Sequence, residues 1–246
     1  SKSYESNPLP ISFVHDEYVG DKLDYTAHIP KVESRWEIKD FIDFIKNPKS
    51  TVEMQNGQTI HFYPTNKIRI PVDKNNIIKT KVVAAKYNDS IVSYIDIDIK
   101  GNALYKNRLM MLDLIANNNW KRPVYFSPGA FEDEDYLWMK NYLQLEGMIY
   151  KLVPIKTKVD KDTNPMDMGG LDADKMYNIV MKWDWGNSRG DIYHDPETRK
   201  NSISYRSVLS RLMDKLIAEG KLDKAKKVIE LSLTEMPVEK FGYYSM

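Results

Sequence analysis

A chain of 246 residues can bury a substantial core, either as one large domain or as two small ones. Its 36 basic and 35 acidic side chains leave a net charge of +1, which lacks the basic footprint of a nucleic-acid binder or of a protein drawn to an anionic membrane surface. The absence of cysteine excludes disulfides, thiolate metal sites and a cysteine nucleophile, and no apolar run reaches the ~20 residues that span a bilayer.

The chain opens SKSYESNPLP, without an initiator methionine and without the charged-then-apolar profile of a signal peptide, as expected of a segment of a longer protein. Residues 1–33 carry scattered prolines and no sustained period, which predicts an extended lead-in. Ser34-Arg35-Trp36-Glu37 has the form of a capping box, and Ile38, Phe41, Ile42 and Ile45 follow as one apolar helical stripe. Asn47-Pro48 stops that helix, because proline disfavours helical geometry in the residue before it. Asn56-Gly57, set between two runs with β-formers, predicts a hairpin. Lys67 to Ile70 alternates polar with apolar as a half-buried strand does, and Ser90 to Ile99 is a further β-rich stretch.

The next stretch, LMMLDLIANNNWKRPVYFS, predicts a helix over Leu104–Ala116 and a strand over Val124–Ser127. The helix is apolar almost all round, so cover on most sides is expected. Asn117 to Asn119 tolerate the left-handed geometry of a helix end, and Pro123 suits the first position of a strand. Strand, helix, strand in that order suggests a βαβ unit. EDEDYLWMKNYLQ then reads as a short helix with acidic residues at its N-terminus, and EGMIYKLVPI as a strand. A polar loop leads to Asp172, a helix cap, and to the stripe Met176, Ile179, Val180 and Trp183, closed by Gly186.

Leu209 to Pro237 reads as helix, tight turn, helix, and resembles a single tetratricopeptide repeat. Leu209, Leu212 and Leu216 hold packing positions of its first helix, Gly220 the turn, and Ala225 the small-residue contact. One repeat cannot bury both faces, so it is expected to lean on its neighbour. The expected fold class is α/β, a mixed sheet with flanking helices plus this C-terminal hairpin. The organisation is a lead-in over 1–33, an α/β domain over 34–203 and the hairpin over 204–246, packed on that domain.

Chemistry is sparsely signalled. Asp96-Ile97-Asp98 is a D-x-D, a pair with which many nucleotide-sugar glycosyltransferases hold a divalent cation. Strand alternation gives the plainer reading, both aspartates facing solvent with Ile95, Ile97 and Ile99 inward, and that reading is preferred. The four histidines, His15, His28, His61 and His194, show no metal-ligand spacing. No nucleophile elbow, phosphate loop or dinucleotide fingerprint occurs, so the expectation is no catalytic residue, no metal and no cofactor in this segment. Lys182 to Asn187, KWDWGN, sets two tryptophans beside a loop, where they could stack on a sugar ring or a peptide. Trp183 belongs to the core-facing stripe, which leaves Trp185 as the candidate binding residue.

Several stretches together resemble a known family. His61 to Asp73, SYIDIDI, LMMLDLIANNNWKRPVYFS, Tyr142 to Lys156, Asp174 to Asn187 and the terminal hairpin occur in an order similar to that of the C-terminal region of a large bacterial membrane-protein family. That family resembles protein O-mannosyltransferases, multi-spanning glycosyltransferases that use lipid-linked sugars. The resemblance covers about Pro8 to Met246. It implies a non-catalytic accessory domain on the periplasmic face of the bacterial inner membrane. The implied partners are the membrane-embedded N-terminal part of the same protein and an acceptor polypeptide, with the domain holding the acceptor or bracing the membrane part. The catalytic carboxylate of such transferases lies between transmembrane helices, so none is carried onto this chain. The rival readings are an interaction module working through the hairpin and a nucleotide-sugar transferase using Asp96 and Asp98.

Overall fold

Alternating isoleucines build the first layer. A computed structural model of the chain describes residues 9–12, 22–24, 34–101, 103–127, 136–157 and 168–242. The chain divides into two units, one formed by Ser1–Val124, Asp133–Met139 and Val153–Lys156, the other by Tyr125–Glu132, Lys140–Leu152 and Thr157–Met246. The architecture is mixed α/β, with several small sheets and a helical C-terminal region.

In chain order the first unit contains β1 (Lys22–Asp24), β2 (Trp36–Glu37), α1 (Ile38–Ile45), β3 (Thr51–Glu53), β4 (Thr59–His61) and β5 (Lys67–Pro71). It continues through α2 (Lys74–Thr80), β6 (Tyr94–Asp98), β7 (Ala103–Tyr105) and α3 (Lys106–Asn118). β5 is the centre of a three-stranded sheet, parallel to β2 and antiparallel to β6. Ile68 and Ile70 pair with Ile97 and Ile95 across the ladder, and all four are buried. β3 and β4 form the expected hairpin, with Gly57 in the left-handed region at φ 79°.

α1 buries Ile38, Phe41, Ile42 and Ile45, the stripe expected from their spacing. Its start differs from the capping-box reading. Trp36 and Glu37 run as a strand against Ile68 and Arg69, and Glu37 caps the helix without a side-chain hydrogen bond. Ladder pairing and the Arg35 guanidinium, which donates to the Ile68 and Ile97 carbonyls at 3.0 and 2.8 Å, hold this segment extended. The tertiary partners override the local capping preference.

α3 begins two residues later than expected, because Ala103–Tyr105 pairs with β1. It packs on α1 and β7, and Leu109, Leu112, Asp113, Ile115 and Asn118 are buried around most of its circumference, as expected, with one exposed strip at Asn107, Met110 and Asn117. Asp113, the one charge in the apolar run, is fully buried. One carboxylate oxygen accepts from the Ser12 hydroxyl at 2.6 Å and the Asn117 amide at 2.8 Å, and the other from the Ser12 N–H at 2.8 Å. Charge-assisted bonds of this kind replace the water that the carboxylate loses.

The joint after α3 explains the asparagines. Asn119 and Trp120 both take positive φ, 42° and 59°. The buried Trp120 indole donates to the Pro71 carbonyl at 2.8 Å, and the Asn118 side chain bridges the N–H and the carbonyl of Arg122. The joint does not make a βαβ unit. β8 (Tyr125–Phe126) leaves β6 behind and pairs antiparallel with β10 (Ile149–Leu152) in the second unit.

That second unit has a four-stranded sheet in the order β11 (Gly170–Leu171), β9 (Leu143–Glu146), β10, β8. The stretch read as one strand, EGMIYKLVPI, is instead the second half of a hairpin that turns at Gly147-Met148, with Gly147 at φ 66°. Of the predicted acidic helix before it, Glu132 to Asp135 lie outside the described residues, and Tyr136–Tyr142 is a 3₁₀ helix. α4 (Ala173–Val180) is capped by Asp172, which accepts from the Lys175 N–H at 3.1 Å as expected. α5 (Pro196–Ala218) runs unbroken across 203 and 204 and pairs with α6 (Leu222–Glu235) before the short α7 (Val238–Phe241). Leu209, Leu212, Leu216, Ala225 and Val228 are buried in this unit, and α5 packs on α4. Ile229 and Leu233 of α6 stay exposed.

The contrast between the covered sides of α3 and its exposed strip has a measurable consequence. Leu112→Ala should lower the unfolding free energy by ~2–5 kcal/mol, as large-to-small changes in cores do, and Met110→Ala, in the exposed strip, by under about 0.5 kcal/mol. Chemical denaturation of the two variants decides this, and equal losses would contradict the exposure of Met110.

Candidate functional site

On β6 the D-x-D aspartates point away from Ile95 and Ile97, as alternation requires. Asp96 accepts a bidentate pair from Arg69, Nε at 2.8 Å and Nη2 at 3.0 Å, while Arg35 Nη2 donates to Asp98 at 2.7 Å. The Arg69 guanidinium, itself 3.7 Å from the centre of the Tyr94 ring, holds the Asp96 carboxyl below the usual carboxylate range. Both carboxylates are therefore engaged by arginines at an exposed sheet face. His15 and His28 lie outside the described residues, and His61 and His194 fall in different units. Among the described residues no group of three or more histidines and carboxylates converges as metal ligands would.

A charged cluster that the sequence did not announce lies in the second unit. Hairpin register places Gln144 opposite Lys151, which also faces Tyr125 on β8. Glu146, buried, takes Lys151 Nζ at 2.5 Å and Lys175 Nζ at 2.7 Å on one oxygen and the Tyr125 hydroxyl at 3.2 Å on the other. Lys151 is 1% exposed. Burial pushes its ammonium down to about 8, and burial likewise raises the Tyr125 hydroxyl. At Lys175 desolvation is outweighed by the Glu146 carboxylate, and its ammonium is raised. The sequence signal for this cluster is only Glu and Lys five residues apart around a Gly-Met turn.

The open site of the same unit starts where α4 ends. The helix closes at Val180, so Trp183 is not part of its buried stripe; it is half-buried beside Trp185. The Trp183 and Trp185 rings meet at 5.5 Å and 66°, and each lies 5.7 Å from Tyr205 of α5. These rings, with Asn187, Asn201 and Phe241, line a cavity of about 610 Å³, in the size range of ligand clefts. Trp185 thus stands in a cavity wall, and Trp183, which the sequence assigned to the core, stands beside it. The Trp185 indole N–H is buried without a partner among the described residues.

The loop that shapes the cavity is tied down. Gly186 takes φ 58° and donates to Asp184 Oδ1 at 2.8 Å, and turns at Ser188 and Gly190 follow. His194 Nε2 meets the Ser188 carbonyl at 2.7 Å while its ring lies 4.4 Å from Phe241. Ser188 donates to Glu235 of α6 at 3.1 Å, and Lys240 donates to the Gly190 carbonyl. A smaller cleft of about 330 Å³ in the first unit, beside Trp120 and Asn119, is lined by the start of α1, the end of α3, the joint and β5.

The charged cluster predicts a pH dependence with a definite sign. Lys151 titrates near 8 when folded and at its ordinary 10.5 when unfolded, so between pH 8 and 10 the unfolded chain binds more protons. Stability then rises with pH, by on the order of 1–3 kcal/mol across that window. The raised groups, Lys175 and Tyr125, act only above it. Denaturation of the intact chain should show this rise and Lys151→Met should flatten it; a flat curve for the intact chain would contradict the buried ammonium.

Residues 1–175, more than two thirds of the chain, match the family described as TMEM260-associated domain 2. The match takes in the D-x-D strand, the asparagine joint and the Glu146 hairpin, and ends inside α4, before the tryptophans of the cavity. No curated protein and no solved structure matches the chain. On the extent of that match, the chain belongs to the TMEM260-associated domain 2 family.

Proposed function

We propose that this chain is a non-catalytic accessory domain of a membrane glycosyltransferase resembling the protein O-mannosyltransferases, and that the aromatic cavity holds the acceptor polypeptide. The cavity around Trp185 is the observation that carries this reading. It joins aromatic walls to amide side chains, the combination that an extended polypeptide needs for its side chains and its backbone groups. Family membership supports it as well, since the family is described by association with TMEM260 and not by a reaction. The domain stands, in this reading, on the periplasmic face of the bacterial inner membrane, with the membrane-embedded N-terminal part of the same protein as its lasting partner. The chemistry stays with the membrane part. This domain contributes local concentration and orientation of the acceptor. A nucleotide-sugar site at Asp96 and Asp98 is less well supported, because both carboxylates already serve arginines.

A second reading, an interaction module working through the terminal hairpin, is favoured by one observation. Leu222, Ile229 and Leu233 share one face of α6 and are exposed, Leu233 by 59%.

Kinetics of the full-length enzyme separate these readings. Trp185→Ala should raise the KM for acceptor polypeptide several-fold and leave kcat and the KM for the lipid-linked donor unchanged, the pattern of lost binding. Lost kcat at constant acceptor KM would put the domain in the chemistry. If serine at 222 and 233 abolishes acceptor capture while Trp185→Ala does not, the hairpin reading stands instead.

A further inference from the structure

We infer that the aromatic cavity recognises a neutral pyranose ring, so that the polypeptide it holds already carries a sugar. The second half rests on the function proposed above; the first half does not. The argument begins with ring spacing. Trp183, Trp185 and Tyr205 lie 5.5–5.7 Å apart, centre to centre, at steep mutual angles. Aromatic rings at that separation are in contact with one another. No slot is left between them for a flat heterocycle, and no multi-ring cage of the kind that holds quaternary ammonium ligands opens. Their outer surfaces remain, a platform of the kind that the C–H face of a sugar covers.

The polar groups beside the platform fit hydroxyls. Asp184 uses Oδ1 on the Gly186 N–H and keeps Oδ2 unengaged among the described residues. The carboxamides of Asn187 and Asn201 make no side-chain hydrogen bond among the described residues, and each offers a donor and an acceptor. A Cβ at Gly190 would overlap the Asn187 side chain, so glycine there leaves room for that amide to lie across the loop. The charge of the lining decides between ligand classes. It holds Asp184 and neither lysine nor arginine, which disfavours phosphate, carboxylate and nucleotide ligands; the closed contact of the three rings, which forms no cage, then favours a neutral polyol over a cation.

Titration calorimetry of the 246-residue chain tests this with methyl α-mannoside, methyl glucoside, methyl galactoside, mannose 6-phosphate, choline, and a threonine peptide with and without an O-linked mannose. At least one methyl glycoside and the mannosylated peptide should bind saturably in the millimolar range, and the phosphate and choline should not. Asn201→Ala should weaken binding about tenfold, the worth of one good hydrogen bond, and Trp185→Ala should abolish it. If Trp185→Ala unfolds the unit, Asn201→Ala, at an exposed position, still decides. Choline binding above the glycosides, or glycoside binding untouched by Asn201→Ala, would overturn the inference. So would binding of the bare peptide when no glycoside binds, an outcome that leaves the accessory function standing. Glycoside binding by the chain with an unaltered acceptor KM for the full-length Trp185→Ala enzyme would do the reverse.

Discussion

Glu146 carries a charge almost out of reach of water, and the second unit is arranged around meeting it. The ligands come from three directions: Lys151 from the next strand, Tyr125 from the strand beyond, and Lys175 from α4. Removing the carboxylate would leave a buried ammonium with no counter-charge, a state far less favourable than losing the pair together. The same contact fixes α4 on the sheet. Trp183 and Trp185 follow the C-terminal end of α4, so the carboxylate that ties α4 to the sheet through Lys175 is one of the contacts that position the cavity wall. Asp174 adds to this from the same helix, held by Lys221 and Lys224 of the hairpin at 2.6 and 2.7 Å.

The first unit solves its polar problems differently. Asp113 is satisfied by Ser12 and Asn117, Trp120 by Pro71, and Asp96 and Asp98 by arginines. Its conspicuous polar groups are therefore used within the fold, as a scaffold uses them. In the second unit the amides of Asn187 and Asn201 are left open beside aromatic rings. The family match covers the first unit and the sheet of the second and stops at residue 175, before the tryptophans and asparagines of the cavity.

Much of the framework was legible in the sequence because it depends on short periods. The stripe Ile38, Phe41, Ile42, Ile45, the alternation around Ile68 and Ile97, the Asn56-Gly57 hairpin and the Asp172 cap each need only neighbours within a few residues. Features that depend on distant partners were not legible. Ser34-Arg35-Trp36-Glu37 carries a true capping pattern, yet Arg35 finds carbonyls of β5 and β6 and the segment stays extended. The strand after the asparagine joint looked like the close of a βαβ unit, and ladder pairing with β10 took it into another sheet. Trp185 was identifiable as a loop aromatic. Trp183 was not, since a period of 3.6 carries no signal that the helix ends at Val180. Asn187 and Asn201 gave none either, because an amide becomes a site only when folding brings it beside a platform.

The central claim is that ligand recognition belongs to the rings of the second unit. Five tryptophans give five indole N–H resonances, and residue-specific substitution to phenylalanine assigns them. Two-dimensional ¹⁵N–¹H spectra recorded while a mannosylated threonine peptide is added report on all five at once. The account predicts that the Trp183 and Trp185 signals move together and saturate, while those of Trp36, Trp120 and Trp138 stay in place. Movement confined to those three, or no indole movement at a concentration where the peptide is bound, would contradict it.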